Sequence, residues 1–305
     1  MARRPILLLV NPVAGGKPGS GAGLADDPAR LTPSALAATL RERGLVVDFR
    51  ELAEGDDDGS RARKAADDGY DVVVGGGDGT VSAVATALID HPDAALGILA
   101  MGSFNNVARG FGIPDKLGPA LDVIAAGDTV SFDIGWARHE GTDGRPFFEA
   151  AGVGLDAIGF LAVEVAERRG WWRGVRSLWR GVRRPDASMR ITVDEVTTSA
   201  TTPALIVSNG PYHGLGFAVG VEANPTDGLL DVAVFDRMSR WEALRHFAVV
   251  ARRQPRRDAR ISTSTGRAVK VEGINHTLPA HADGHSIGLT PITFEVRAHS
   301  LRVFA

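Results

Sequence analysis

A strand, a glycine-rich turn and a helix follow one another at residues 72–88, "VVVGGGDGTVSAVATAL". Three valines lead into the glycines, and after Thr80 apolar residues recur at the spacing of one helix face, at Val81, Val84, Ala85 and Leu88. A glycine turn between a strand and a helix N-terminus lets backbone N–H groups approach a phosphate closely. The segment therefore predicts an α/β fold with a phosphate site at the end of a strand.

Asp78 stands in the middle of this turn, where its carboxylate repels a bound phosphate unless a cation or a positioning role compensates. The turn lacks the Gly-Lys-Ser/Thr of a P-loop, and Thr80 replaces the third glycine of a dinucleotide fingerprint. A tight turn without a ligand is the alternative, but four glycines together with Asp78 and Thr80 are more than such a turn needs. We predict that the turn binds phosphate groups through Gly76, Gly77, Asp78, Gly79 and Thr80.

Two further loops have a similar composition. Asn11 and Lys17 follow the first predicted strand, and the segment "MGSFNN" after another strand contains Gly102, Ser103, Asn105 and Asn106. Consecutive parallel strands deliver the loops at their carboxyl ends to the same edge of a sheet. We therefore expect a nucleotide site there, with Lys17 as a phosphate contact; the alternative for Lys17 is a solvated surface charge.

The chain changes character near residue 131. Before it, predicted strands (5–10, 45–52, 71–74, 95–100) alternate with predicted helices (34–43, 60–69, 80–90, 115–127), which favours a parallel sheet. After it, strands dominate, interrupted by helical segments near 158–182 and 240–254. We expect an N-terminal α/β domain over 1–131, completed by 299–305, and a C-terminal antiparallel β-sandwich over 132–298.

Composition limits the protein class. The chain has 305 residues, 44% hydrophobic and 23% charged, and contains no cysteine, which excludes disulfides and thiolate chemistry. No apolar run approaches the roughly 18 residues of a membrane span, and the apolar stretch after Met1 is short for a secretory signal. We expect a soluble cytoplasmic protein. Its oligomeric state is not fixed by the sequence, and a homodimer stays among the alternatives.

Six segments together resemble the diacylglycerol kinase catalytic-domain family of bacterial lipid kinases. They are "NPVAGG", "GGGDGT", "LGILAMGSFNNVARGFGIP", "FFEAAGVGLDA", "SNGPYHGLGFAVGVEANPTDGLLDVAVF" and "HADGHSIGLTPITFEV", in the family's order and spacing. "GSFNN" is similar to the branch whose second loop contains Gly-Thr-Phe-Asn. The resemblance implies an α/β nucleotide domain followed by a β-sandwich, with ATP and Mg2+ as cofactors. It also implies that Asp78 belongs to a cation site beside the phosphates.

The resemblance implies further residue roles, with two departures. The family has Asp-Gly-Glu near its C-terminus and uses the Asp as the base; here Asp283 is kept, but His285 replaces the Glu. The family's structural Mg2+ segment leaves Asp227 and Asp231 as ligands, while Thr226 replaces an acid and an ordinary hairpin turn is the alternative. A zinc site at His281, Asp283 and His285 on one strand face is a further alternative.

The stretch "ERRGWWRGVRSLWRGVRRP" at 167–185 combines seven arginines with three tryptophans. The spacing predicts an amphipathic basic helix, interrupted by Gly174 and Gly181, that fits an anionic membrane surface through residues such as Arg173 and Arg176. One alternative is a helix that packs its apolar stripe on the sandwich. A nucleic-acid partner is not expected, because no binding module accompanies the arginines.

The sequence thus predicts an ATP-dependent kinase, bound peripherally to membranes, that phosphorylates a hydroxyl of diacylglycerol or a related lipid in phospholipid biosynthesis. Two alternatives stay open. One is a kinase of a soluble acceptor, similar to NAD kinase. The other is a nucleotide-binding protein that has lost catalysis. The departures from the family pattern at His285 and Thr226 suggest this alternative.

Overall fold

The computed structural model describes residues 3–11, 32–53, 56–182, 187–213, 217–218, 222–235, 238–250 and 258–305. The chain forms two compact units, one of Met1–Asp133 with His299–Ala305 and one of Ile134–Ala298. The sequence-based boundary lies after residue 131. The last strand supplies residues to both units, since its final part pairs within the first unit and its earlier part within the second.

The first unit alternates strands and helices. In chain order these are β1 (Ile6–Val10), α1 (Pro33–Glu42), β2 (Val47–Glu51), α2 (Asp58–Asp67), β3 (Asp71–Gly76), α3 (Asp78–Leu88), β4 (Ala95–Ala100), α4 (Asn106–Gly110) and α5 (Leu117–Ala126). The strands pair in parallel in the order β2-β1-β3-β4. The predicted parallel α/β domain is therefore confirmed.

Two helices of this unit begin at a side-chain cap, and three do not. The Thr32 hydroxyl accepts the Ala35 N–H at 3.3 Å to begin α1, and the Asp57 carboxylate accepts the Ser60 N–H at 2.9 Å to begin α2. The residues before α3, α4 and α5 make no such bond, and the one before α3 is Gly77, which has no side chain to make it. The first turn of α3 is therefore left to other acceptors.

The second unit is mostly strands. It contains β5 (Thr129–Arg138, which starts in the first unit), β6 (Arg145–Phe147), β7 (Ala150–Gly154), α6 (Leu155–Arg169), α7 (Trp171–Val182), β8 (Ala187–Val193), β9 (Val196–Thr202), β10 (Ala204–Ser208), β11 (Tyr212–His213), β12 (Phe217–Ala218), β13 (Leu230–Val234), α8 (Arg240–Val250), β14 (Ser262–Gly266), β15 (Ala268–Gly273), β16 (Pro279–Ala282), β17 (His285–Leu289) and β18 (Ile292–Phe304).

Two antiparallel sheets enclose the core of this unit. One has the order β14-β13-β10-β7-β16-β17, and the other contains β18-β15-β8-β9. Fully buried side chains from both sheets, such as Leu205, Val232 and Phe294, pack between them. The predicted sandwich is confirmed. The strands β9, β11, β12, β14 and β17 were not predicted; β9 consists largely of exposed threonines and serine without an apolar alternation.

The helices α6, α7 and α8 belong to a second, smaller core that includes Ile206, Phe235 and Ala243, with Leu178 of α7 packed against it. The sequence predicted one helical segment over 158–182, but the segment forms two helices. The first ends at Gly170, where φ is 95°, and α7 begins at Trp171. The predicted interruptions at Gly174 and Gly181 were wrong, since both glycines lie within α7. A Cβ on Gly174 would lie 2.5 Å from the Ala166 Cβ, so this glycine lets α7 pack closely on α6.

Candidate active site

Three loops of the first unit lie side by side at the carboxyl ends of β1, β3 and β4. The Asn11 N–H donates to the Gly75 carbonyl at 2.9 Å, and the Met101 N–H donates to the Gly76 carbonyl at 2.9 Å. The Asn11 side-chain amide also donates to the Thr80 hydroxyl at 3.4 Å. The prediction that these loops lie together at one edge of the sheet is therefore confirmed for the described residues. Lys17 lies outside the described residues.

Close packing explains two of the glycines but not a third. A Cβ on Gly102 would lie 2.5 Å from the Gly77 Cα, and a Cβ on Gly76 would lie 2.8 Å from the Thr80 Cβ. A Cβ on Gly79 would meet no heavy atom within 4 Å. Gly79 is thus not required by contacts within the chain, and it leaves open space beside the first turn of α3.

The N-terminus of α3 offers backbone donors at this edge. Gly77 is extended, with φ −89° and ψ 179°. In the first backbone hydrogen bond of the helix, the Val81 N–H donates to the Gly77 carbonyl at 2.9 Å. The N–H groups of the first turn have no intrahelical acceptor, and the helix dipole makes this end positive. Together with the space at Gly79, this arrangement suits a phosphate group.

Asp78 ties two of the loops together. Its Oδ1 accepts the Val107 N–H at 3.1 Å, in the first turn of α4. Burial raises the pKa of the Asp78 carboxyl, against the lowering effect of the backbone N–H groups of Val107, Asn105 and Asn106. The carboxylate therefore has a positioning role within the chain, and a nearby cation would further offset the cost of its burial.

Asn105 shapes the loop after β4. It has a left-handed backbone conformation with φ 52°. Its side-chain oxygen accepts the Gly102 N–H at 2.7 Å, and its amide donates to the Gly102 carbonyl at 3.1 Å. The side chain is buried, whereas that of the neighbouring Ser103 is exposed. Asn105 therefore holds the loop, and Ser103 presents its hydroxyl to solvent.

In the second unit, Asp283 lies in the turn between β16 and β17, with φ 45°. Its carboxylate accepts three backbone N–H groups, from Phe148 at 2.7 Å, Glu149 at 3.0 Å and Ala150 at 3.1 Å. These bonds fix the direction of the carboxylate and also anchor the start of β7. The anchoring role was not predicted from the sequence.

A buried His281–Asp156 pair supports the same turn. His281 Nε2 lies 2.6 Å from Asp156 Oδ2, and the Gly284 N–H donates to His281 Nδ1 at 3.2 Å. Because Nδ1 accepts, the proton is on Nε2, which donates to Asp156. A Cβ on Gly152 would lie 2.0 Å from Asp156 Oδ2, so this glycine makes room for the pair.

Sequence reasoning missed Asp156, although its place just after a glycine-rich strand was a usable signal. The zinc alternative fails on geometry, since both ring nitrogens of His281 are engaged and the turn at Asp283 separates it from His285, which begins the next strand. Among the described residues there is no group of three or more His, Asp or Glu side chains arranged to hold a metal ion.

Asp227 and Asp231 lie at the start of β13. The Asp227 carboxylate accepts the Leu229 N–H at 2.9 Å, and the Thr226 hydroxyl donates to the Asn224 side-chain oxygen at 2.8 Å. Burial, and then the charge of Asp227, raises the pKa of the Asp231 carboxyl. The two acids are near enough to repel, but these bonds are also those of an ordinary turn. A metal at this pair stays a prediction.

The tryptophans of α7 face solvent, whereas Leu178 packs against the smaller core. Trp171 is 71% exposed, Trp172 82% and Trp179 47%, and Trp179 contacts the exposed Trp241 of α8 with ring centroids 5.6 Å apart. Arg173 and Arg176 are also exposed. The alternative in which the apolar stripe packs on the sandwich therefore does not hold for these tryptophans. Within the described residues, no helix has the length and apolar character to span a membrane.

Comparison with known proteins gives two domain matches. The diacylglycerol kinase catalytic domain matches residues 5–137, and the YegS C-terminal NAD kinase beta sandwich-like domain matches residues 175–305. A diacylglycerol kinase of Mycobacterium tuberculosis (strain ATCC 25618 / H37Rv) is 31% identical over 261 residues, covering 81% of each chain. Lipid kinase YegS of Escherichia coli (strain K12) is 41% identical over 101 residues, covering 31% of this chain and 33% of that one.

Two solved structures share the fold. A diacylglycerol kinase from Bacillus anthracis str. Sterne superposes with a TM-score of 0.74 at 19% identity, covering 100% of this chain and 98% of that one. Yeast NADH kinase complexed with NADH has a TM-score of 0.53 at 10% identity, covering 99% of this chain and 83% of that one. At these identities the similarity concerns the fold alone.

Proposed function

Because the chain belongs to the diacylglycerol kinase catalytic-domain family, we propose that it transfers the γ-phosphoryl group of ATP to a hydroxyl of diacylglycerol or a related lipid. One observation carries the proposal: the uncapped N-terminus of α3, which follows a glycine turn at the carboxyl edge of a parallel sheet, with open space at Gly79. This is the arrangement that backbone N–H groups need to bind phosphate.

In this proposal the triphosphate lies against the first turn of α3. The N–H groups after Gly77 and the hydroxyl of Thr80 bind phosphate oxygens, while Asn11 orients Thr80 through its side-chain amide. Asn105 and Gly102 hold the neighbouring loop in place, and Ser103 offers a further hydroxyl. Correct positioning accounts for much of the catalysis of phosphoryl transfer.

Magnesium fits Asp78. Mg2+ bound to a nucleotide is commonly held by one or two protein carboxylates, the phosphates and water, and Asp78 is the carboxylate of the glycine turn. When bound, the ion supplies positive charge that neutralises the phosphate oxygens. Asp78 keeps the first turn of α4 fixed through its bond from Val107, so the side chain that joins the two loops would also hold the ion.

Asp283 is the proposed base that accepts the proton of the acceptor hydroxyl. Its three N–H donors hold the carboxylate in one direction, which suits a group that has to meet a hydroxyl in a defined geometry. They also fill three of its roughly four acceptor positions.

The test is transfer of label from γ-labelled ATP with Mg2+ to vesicles containing diacylglycerol, phosphatidylglycerol or sphingoid bases. We expect a labelled lipid with the natural protein and at least about a hundredfold less with Asp283→Asn. Because Asp283 also anchors backbone, thermal unfolding of the variant is measured in parallel. A folded variant with full activity contradicts the base assignment. Label on a soluble acceptor alone favours the NAD-kinase-like alternative, and ATP binding without transfer favours lost catalysis.

We also propose that α7 binds an anionic membrane surface, which brings the enzyme to its lipid acceptor. The support is the outward face of Trp171, Trp172 and Trp179 beside exposed arginines. Tryptophan favours the headgroup region and arginine pairs with lipid phosphate. In flotation with phosphatidylglycerol vesicles, Trp171→Ser/Trp172→Ser should bind several-fold less than the natural protein. Val196→Ser, a 67% exposed apolar residue elsewhere in the same unit, is the control.

A further inference from the structure

The first unit contains a cavity of about 560 Å³ at the side of the parallel sheet where its strands begin. Its size lies in the range of small-molecule sites. The lining includes the first residues of β1, β3 and β4, which are Ile6, Asp71 and Ala95. The glycine turn and the loop at Asn105 follow the opposite ends of β3 and β4, about 16 Å of strand away. We call this space the amino-edge cavity, and it is separate from the proposed nucleotide site.

Three arginines line this cavity, and backbone carbonyl groups hold each of them. Arg3 donates to the carbonyls of residues 125 and 126 at the end of α5, at 2.5 Å each. Arg4 and Arg302 both donate to the Asp93 carbonyl, at 3.1 Å and 3.3 Å. Such bonds use only part of the five N–H groups of a guanidinium. They fix the position of each guanidinium before any ligand arrives, which lowers the entropy cost of binding.

The acids of the cavity do not balance its arginines. Arg4 Nε lies 3.7 Å from Asp71 Oδ1, and these two charges pair. Arg3 and Arg302 form no ion pair with any carboxylate in the part of the chain that the structure describes. Asp93, the other acid of the lining, is exposed. Three arginines and two aspartates leave a net charge of +1 when both carboxyls are ionised, and the dipole of α5 offsets only about half of the charge of Arg3.

The guanidinium groups of Arg3 and Arg302 lie close to one short segment that links α5 to β5. A Cβ on Gly127 would lie 2.9 Å from Arg3 Nη2. Arg302 Nη2 donates to the Thr129 hydroxyl at 3.3 Å. The Cα atoms of two residues this near in sequence are at most about 7 Å apart, so the two cations repel each other. Asp128, which lies between them in sequence, is in no ion pair within the described residues. A phosphate bound between the arginines removes the repulsion, and the planar guanidinium is suited to bidentate bonds with phosphate.

Another part of the lining is apolar. Leu45, Ile124 and Phe304 line the cavity with side chains that are buried in the first unit. A ligand with an apolar group gains free energy when that group leaves water for this wall, whereas inorganic phosphate has no such group. The lining therefore divides into a cationic part and an apolar part.

We propose that the amino-edge cavity binds one molecule of a small organic phosphate monoester. Its phosphate lies between Arg3 and Arg302, and its apolar group lies against Ile124 and Phe304. The cavity is thus a second ligand site of the first unit, at the opposite ends of the strands whose loops form the proposed nucleotide site. The proposal goes beyond the kinase activity and does not depend on it, since binding needs neither ATP nor turnover.

The test is calorimetric titration of the full chain with phenyl phosphate, in the presence of saturating ADP and Mg2+ to occupy the proposed nucleotide site. Matched probes are methyl phosphate, which lacks the ring, and benzoate, which lacks the phosphate. We expect saturable binding of one phenyl phosphate per chain, at least about tenfold tighter than either other probe. Equal affinity for methyl phosphate overturns the role of the apolar wall, and equal affinity for benzoate overturns the phosphate assignment.

A second titration without ADP separates this proposal from the proposed function. If phenyl phosphate binds only when ADP is absent, its site is the glycine turn, and the amino-edge cavity is not a phosphate site. If ADP itself does not bind, the kinase proposal fails, while the phenyl phosphate titrations still decide the present one.

Variants locate the binding. Arg3→Gln and Arg302→Gln are each expected to weaken phenyl phosphate binding about tenfold or more. Arg50→Gln, which removes an exposed arginine from β2 of the same unit, should bind as the natural protein does. Thermal unfolding shows that each variant is folded. If folded Arg3→Gln and Arg50→Gln bind phenyl phosphate equally, the cavity is not the site.

Discussion

At the scale of single residues, the burial of Asp78 gives a prediction for stability and for the proposed activity. Burial raises its pKa above the ordinary value of 3.8, so the folded state holds the proton more tightly than the unfolded state and ionisation at pH 7 costs stability. That cost fades as pH falls through the folded-state pKa and is absent below 3.8. Asp78→Asn keeps an oxygen for the Val107 N–H and removes the charge.

Asp78→Asn is therefore expected to melt at a higher temperature than the natural protein at pH 7. The difference should shrink as the pH is lowered, while kinase activity falls at least about a hundredfold. Thermal unfolding at several pH values, beside the transfer assay, checks both. A variant that melts lower at pH 7 contradicts the account of burial.

The His281–Asp156 pair gives a second prediction for single residues. Removing the histidine donor in His281→Asn should cost about 1.5–3 kcal/mol of unfolding free energy, the range for a hydrogen bond to a charged group. Because the turn that carries Asp283 loses its support, kcat should fall while the KM for ATP stays constant.

The double variant His281→Asn/Asp156→Asn measures the coupling of the pair. It should cost less than the sum of the two single variants, because the two side chains interact directly. His276→Asn, an exposed histidine of the same unit, is the control. Additive losses in denaturant titrations argue against a coupled pair.

Residue roles were only partly predictable. The glycine turn and the loop at Asn105 could be predicted, because their residue types are unusual outside such loops. The hydrogen bonds that hold Asp283 could not be predicted, because the donors are backbone N–H groups of residues 148–150, which carry no sequence signal. Asp156 and His281 are 125 residues apart in the chain, and only the fold brings them together.

At the scale of elements, α3 offers a comparison of two glycines. Gly79→Ala meets open space and improves helix propensity, so stability should stay equal or rise by up to about 1 kcal/mol. ATP affinity should nevertheless fall several-fold, because the new methyl group occupies the proposed phosphate position. Gly102→Ala, whose Cβ would strike Gly77, should lose about 1–3 kcal/mol. Denaturant titration and nucleotide binding separate the two effects, and unchanged ATP affinity in Gly79→Ala places the phosphates elsewhere.

Elements with a clear period were predicted and others were not. The apolar spacing of α3 and the cap at Thr32 located helices of the first unit to within a few residues. In the second unit, Gly174 misled the prediction because a glycine weakens a helix on average, whereas here it serves a close helix contact. The sequence of β9 has no apolar alternation that could be recognised as a strand. Its position in the sheet comes from its pairing with β8.

At the scale of the whole molecule, charge is divided unevenly. The net charge is −3, yet residues 132–305 contain 22 Lys/Arg and 19 Asp/Glu, which leaves +3 in that part. Activity on vesicles of diacylglycerol in phosphatidylglycerol should therefore fall several-fold between 0.1 and 1 M salt, as the Debye length drops from about 10 Å to about 3 Å. Activity on a monomeric short-chain diacylglycerol should change little. Equal salt dependence in both assays contradicts electrostatic membrane binding.

The strand β18 has a consequence for the order of biosynthesis. Its residues Arg302 and Val303 pair with β4, whose residues are all buried. The ribosome thus finishes the loops around Asp78 and Asn105 long before it delivers the strand that covers this edge of the sheet. Until then the nascent chain presents an open apolar edge, a surface that chaperones hold and that neighbouring chains can join. A translational arrest late in the message would therefore leave a target for proteolysis or aggregation instead of a folded first unit.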